Sequence, residues 1–103
     1  MKDEPPDAIT AQRLDSWLWC ARFARNRPDC ARIAQGGLVR INRQRTEKAH
    51  ALVRPGDILT LPAPAGDQVM VLRIAALARR RGPAAAARLL YEIIPERTPS
   101  PVS

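Results

Sequence analysis

Between Leu14 and Ile41 a helical hydrophobic pattern is interrupted once and then gives way to alternation, and residues that end helices stand at both breaks. Leu14, Trp17, Leu18 and Ala21 fall at i, i+3, i+4 and i+7, which is one face of a helix. With Thr10 as its cap, that helix is expected over about Ala11 to Ala24. Asn26-Arg27-Pro28 interrupts it, and Pro28 fits the first turn of a second helix, where its missing N–H costs nothing. Cys30, Ile33 and Ala34 form the second stripe over about nine residues, and Gly36-Gly37 closes it because glycine enters the left-handed region without a Cβ clash. Leu38-Val39-Arg40-Ile41 then alternates as a strand, with Val39 and Ile41 on one side. Two short helices followed directly by a hairpin leave few ways to bury both stripes, so the helices must pack on each other and on the sheet.

The turn of that hairpin falls at Asn42-Arg43. Asparagine suits the first position of a type I′ turn, whereas arginine at positive φ costs about 1 kcal/mol. Either the turn is of another type or Arg43 stands there for a contact. Downstream, Pro55-Gly56-Asp57 marks a turn before the strand Ile58–Leu61, and Pro62, Pro64 and Gly66-Asp67 mark another. A longer strand is expected over Gln68 to Leu77, a basic loop at Arg79-Arg80-Arg81-Gly82-Pro83, and a terminal helix over Ala84 to Glu92. The organisation expected is a flexible lead over 1–9, one α+β domain over 10–94 with its core motif at 13–61, and a disordered tail over 95–103. The fold is two packed N-terminal helices against a small, mostly antiparallel sheet, with a short C-terminal helix.

Charge narrows the function. Residues 13–54 hold ten basic and three acidic side chains, a net of +7, while the first twelve residues sum to −2 and residues 55–103 to +2. The positive field therefore belongs to the helix–helix–hairpin segment, and it favours a polyanion. Fifteen of the seventeen cations are arginine, whose planar fork suits phosphate oxygens and stacks on bases. Arg13 and Arg22 are nine apart, two and a half helical turns, and cannot both point the same way on one rigid helix. Trp17 lies on the apolar stripe and is assigned to the core. Trp19 and Phe23, four apart on a flank, are expected to pack together, with Trp19 equally suited to stacking on a base.

Other classes have little to stand on. Cys20, Cys30 and His50 are too few for a four-ligand zinc site, no paired carboxylates or Ser/His/Asp arrangement is visible, and Gly36-Gly37 is a helix cap, not a phosphate loop. No cofactor, metal or small-molecule substrate is expected, and no enzyme. The N-terminal residues are polar with no apolar core of a signal peptide, and no stretch approaches the ~20 apolar residues of a membrane span. A cytoplasmic, monomeric protein with two free thiols is expected. Two alternatives fit the same pattern: a winged helix-turn-helix-like DNA-binding protein, and a protein-interaction adaptor using the alanine-rich terminal helix.

One family matches these residues in order. Arg13-Leu14-Asp15-Ser16-Trp17-Leu18-Trp19 and Ala21-Arg22-Phe23 resemble the first helix of the RNA-binding domain named after small-subunit ribosomal protein four, the alpha-L motif. The likeness continues through Arg27, Ala31, Gln35-Gly36-Gly37 and Val39-Arg40-Ile41-Asn42 to Val53-Arg54-Pro55-Gly56-Asp57-Ile58-Leu59. Five motifs over about 49 residues are covered. Trp17-Leu18-Trp19, the arginines before Gly82-Pro83, and Leu89-Leu90-Tyr91-Glu92 resemble the heat shock protein 15 group and extend the likeness to about residue 94. The resemblance implies an alpha-L fold, a non-catalytic role, and binding of structured ribosomal RNA on the bacterial large subunit. It also implies recycling of subunits that still carry nascent chain and transfer RNA in a stress response. It points to Arg13, Arg22, Arg27, Arg32, Arg40 and Lys48 as RNA-facing; Arg25 and Arg43 join them by charge alone. Asp15 would repel phosphate and is expected to hold Arg13 or a neighbouring arginine. The family usually has Asn-Gly where this chain has Asn42-Arg43, and its members often continue as a long basic C-terminal segment.

Overall fold

The computed structural model describes residues 9–62 and 69–94. All but the last residue of the expected lead, most of the second turn (Pro64, Gly66-Asp67) and the tail fall outside them. The chain enters through a two-residue strand, β1 (Gln12–Arg13), paired antiparallel with β4 (Leu52–Val53). Helix α1 (Leu14–Cys20) starts directly after it. The Ala11–Ala24 helix and the Thr10 cap are thus corrected at both ends. The N-terminal amides of α1 are met instead by backbone: Leu14 N–H donates to the Ala51 carbonyl at 2.7 Å and Asp15 N–H to that of Ala49 at 3.1 Å. Pairing of residues 12 and 13 with β4 takes them out of the helix, a long-range contact that local periodicity does not report.

The C-terminal end of α1 is a Schellman turn. Phe23 N–H reaches the Leu18 carbonyl at 3.0 Å, Arg22 N–H that of Trp19 at 3.1 Å, and Arg22 itself sits at φ 65°, where glycine is usual. Helix α2 (Arg27–Gln35) follows. Its cap is Asn26, whose side chain accepts from Asp29 N–H at 2.9 Å, and Pro28 lies in the first turn. Gly37 at φ +80° turns the chain out of α2 as expected, and an added Cβ there would lie 2.9 Å from the Arg45 guanidinium.

The main sheet has the order β3-β2-β5-β6-β7 and every pairing is antiparallel: β2 (Val39–Ile41), β3 (Gln44–Thr46), β5 (Ile58–Pro62), β6 (Val69–Ile74) and β7 (Tyr91–Ile93). Ile41 pairs with Gln44 across a two-residue turn, and both Asn42 (φ 51°) and Arg43 (φ 76°) are left-handed. That is the type I′ pattern, matching the right-handed twist of the strands despite the arginine. Asn42 also joins the next turn: its amide donates to Asp57 Oδ1 at 3.0 Å and its carbonyl oxygen accepts from Ile58 N–H at 2.9 Å.

The C-terminal part departs from expectation. β6 stops at Ile74, three residues early, and the terminal helix is only α3 (Ala84–Arg88). Tyr91 and Glu92, expected within that helix, belong to the edge strand β7, with Leu72 opposite Ile93 and Ile74 opposite Tyr91. Alanine content favours a helix locally, but Tyr91 has aromatic partners that only the strand supplies: Trp17 at 6.2 Å and Phe23 at 5.3 Å between ring centroids. Phe23 accordingly packs on Trp17 and Tyr91 rather than on Trp19, because the left-handed Arg22 turns it away from the helix flank. One core joins the layers, with Leu14, Trp17 and Leu18 from α1, Cys30 and Ala34 from α2, and Val39, Leu59, Leu61, Leu72 and Ile74 from the sheet.

Candidate nucleic-acid interface

The corner between α1 and α2 is built around one buried carboxylate. Asp15 is 7% exposed and accepts a two-pronged contact from Arg13, Nε to Oδ1 at 3.0 Å and Nη2 to Oδ2 at 2.8 Å. Ser16 N–H donates to Oδ1 at 2.7 Å. Burial is the largest single influence and disfavours the charge. The hydrogen bonds from Arg13 and Ser16, with the positive fields of Arg13 and Arg27, outweigh it and hold the carboxyl below its ordinary value. Asp15 thus positions Arg13 as expected, and the Arg13 head stays more than half exposed.

Arg27, at the first position of α2, reaches back to α1. Its Nη2 donates to Ser16 Oγ, and its guanidinium lies 5.4 Å from the centre of the Trp19 ring. A second guanidinium, Arg81, lies 5.6 Å from the same ring. Trp19 is half-buried and packs against the core, while Trp17 is fully buried with its indole N–H on the Ala76 carbonyl at 3.0 Å. Arg81 was not among the expected residues. Its signal was the three-arginine run before Gly82-Pro83, but only the fold carries that run to α1.

The remaining helix-layer cations have separate settings. Arg22 Nε donates to the Gly82 carbonyl at 3.0 Å. Arg32 pairs with Asp29 at 2.7 Å on an open surface, one turn along α2, an exposed pair of little stabilising value. Arg25 is exposed in the interhelix turn with no hydrogen bond or ion pair among the described residues.

The hairpin cations form a second group. Val39 is fully buried toward the helices, so Arg40, its neighbour in the strand, projects from the opposite side of the sheet. It stands in register with Arg45 on β3 and Thr60 on β5. Arg45 is held to Glu47 at 2.8 Å, close to Gly37, which relieves some of the repulsion between two arginines placed opposite one another. Arg43 at the turn tip and Lys48 beyond β3 are exposed. The expected residues therefore divide. Arg13 and Arg27 are linked through the Asp15–Ser16–Trp19 corner, whereas Arg40 lies with Arg45 on the outer face of the sheet.

The thiols of Cys20 and Cys30 are free and buried, and burial pushes Cys30 up to about 11. Among the described residues no His, Cys, Asp and Glu side chains group to hold a metal, and no helix is long and apolar enough to cross a membrane.

Comparison with known proteins agrees with this fold. The family described as S4 domain matches residues 12–59. Heat shock protein 15 of Escherichia coli (strain K12) is 36% identical over 92 residues, covering 89% of this chain and 65% of the relative. The Heat shock protein 15 homolog of Haemophilus influenzae is 38% identical over 80 residues, covering 78% of this chain and 59% of that one. The chain thus spans about two thirds or less of the length of these relatives. Among solved structures, the trimeric Heat Shock Protein 15 of Vibrio cholerae superposes with a TM-score of 0.76 at 32% identity, over 84% of each chain.

Proposed function

Since the chain belongs to the heat shock protein 15 family and carries its S4 RNA-binding domain, we propose that it binds structured ribosomal RNA of the large subunit. In this reading it is cytoplasmic and non-catalytic, and it serves to recycle subunits that still carry nascent chain and transfer RNA. The observation that carries the reading is the α1–α2 corner. There a buried Asp15 fixes Arg13, and Ser16 and Trp19 fix Arg27, inside the residues that the domain model matches. Cations whose geometry is set before binding lose little side-chain freedom when they meet phosphate. Double-stranded RNA hides its base edges in a deep groove, so such fixed cations read backbone positions and 2′-hydroxyls, giving recognition by shape. Arg22, Arg25 and Arg32 supply the surrounding field in the helix layer, and Arg40, Arg43 and Lys48 offer a second cationic surface on the hairpin.

With about five phosphates contacted, log Kd against log salt should change with a slope of magnitude roughly 3.5 to 4.5. The test measures binding to purified large ribosomal subunits across salt concentrations, with duplex DNA as competitor. Arg27→Ala combined with Arg40→Ala should weaken binding and leave the fold intact. Salt-independent binding, or equal preference for duplex DNA, would remove the RNA reading. Light scattering of the free protein decides between the single copy expected here and the trimer of the Vibrio cholerae relative.

A further inference from the structure

The segment after β6 crosses the flank of α1 and is tied to it at Ala76, Ala78, Arg81 and Gly82. Trp17 Nε1 donates to the Ala76 carbonyl at 3.0 Å. The Gln12 side chain holds Ala78 from both sides, donating to its carbonyl at 2.7 Å and accepting from its N–H at 3.2 Å. Further on, the ties run in both directions: Arg22 Nε donates to the Gly82 carbonyl, and Arg81 donates back to the Trp19 carbonyl at 3.0 Å (Nε) and the Ala24 carbonyl at 3.2 Å (Nη2). Trp19 O and Ala24 O lie at the negative end of α1 and in the turn after it, so a guanidinium there also meets the helix dipole. Between the Ala78 and Arg81 anchors stand two residues, Arg79 and Arg80, both exposed. From Ala75 to Leu90 the chain holds four arginines and no acidic residue. The positive charge of this strap is thus not balanced within it, and it is pinned next to Arg22 and Arg27.

We propose that residues 76–82 form a second RNA-contacting element, in which Arg79 and Arg80 bind backbone phosphates and Arg81 is a positioning residue that clamps them beside the α1–α2 corner. This rests on the RNA-binding reading above and enlarges its surface beyond residues 12–59. The division of labour follows from the geometry. Arg81 spends its fork on two carbonyls and the Trp19 ring, while Arg79 and Arg80 are exposed on a backbone anchored to either side of them. Anchoring at both ends removes the entropy that a free basic loop would lose on meeting RNA.

The test titrates the full chain with purified Escherichia coli large ribosomal subunits at several salt concentrations. Arg79→Gln with Arg80→Gln should lower the magnitude of the log–log salt slope by about 1.4 to 1.8, for two phosphates at roughly 0.7 to 0.9 each. Extrapolated from 1 M to 0.15 M salt, that is about a 15- to 30-fold rise in Kd. The fold should remain intact by circular dichroism. Arg81→Gln should produce a similar loss of slope, and adding it to the double variant should weaken binding little further, since the clamp acts through the same two groups. Arg81→Lys should fail to rescue, because one ammonium lacks the planar fork that reaches both carbonyls. A double variant that binds like the unmodified chain at every salt concentration, while Arg27→Ala with Arg40→Ala is weakened, overturns the strap and leaves the primary site standing. Salt-independent binding by the unmodified chain overturns both. If Arg81→Gln does not fold, the surface double variant alone decides.

Discussion

Arg22 offers a measurement in which backbone strain and side-chain contact can be separated. It occupies the left-handed position of the turn that closes α1, at φ 65°, and its Nε donates to the Gly82 carbonyl at 3.0 Å. A left-handed conformation costs an L-residue roughly 1–2 kcal/mol. Arg22→Ala keeps that strain and loses the hydrogen bond, which at an exposed site contributes about 0.5–1 kcal/mol. Arg22→Gly loses the same bond but relieves the strain, offset by about 0.4–1 kcal/mol of extra chain entropy in the unfolded state. The glycine variant should therefore exceed the alanine variant by about 0.5–1 kcal/mol and lie close to the unmodified protein. For a domain of this size 1 kcal/mol corresponds to roughly 4–8 °C in melting temperature. Urea denaturation and thermal melting of the three proteins make the assay, with subunit binding measured in parallel. Both variants lack the cation and should bind RNA equally poorly. An alanine variant as stable as the glycine variant would show that the turn does not hold Arg22 left-handed in solution, and the reasoning would fail.

Further outcomes follow from the buried polar groups and the core. Asp15→Asn should destabilise the fold by about 1–2 kcal/mol at neutral pH, since it loses charged acceptance from a half-exposed Arg13 and from the Ser16 amide. Because the folded carboxyl is held below its unfolded value, Asp15's contribution is intact above about pH 4 and disappears as pH falls through the depressed folded value. Stability of the Asn variant should accordingly fall less between pH 5 and pH 2, as followed by circular dichroism. Cys30, with its thiol pushed up to about 11, should react slowly with a thiol reagent at pH 8 in the folded protein. Its unfolded form ionises first, near pH 8.5 to 9, so stability should decline from there toward pH 11, and Cys30→Ala should flatten that limb. Trp17→Phe removes the indole N–H from the Ala76 carbonyl inside a fully buried site and should cost about 1–3 kcal/mol by urea denaturation.

Local order was legible in the residues themselves. The spacing of Leu14, Trp17, Leu18 and Ala21, the Asn26 and Pro28 start of α2, the glycine exit at Gly37 and the alternation of Val39-Arg40-Ile41 are short-range patterns, and each acts through backbone sterics or one buried face. The concentration of arginine in residues 13–54 and the likeness to the ribosomal-protein-four type domain were equally visible. Other features depended on partners far along the chain. Residues 12 and 13 leave the helix because β4 pairs with them, and Tyr91 leaves a helix-favouring stretch because β6 and the Trp17–Phe23 rings receive it. Arg81 reaches Trp19 across 62 residues of sequence, while Arg40 is carried to the far side of the sheet from Arg27. Propensity and periodicity describe what a segment prefers alone, at tenths of a kcal/mol per residue. Burial of several side chains at once is worth several times more, and which segments meet is decided only when the whole core closes.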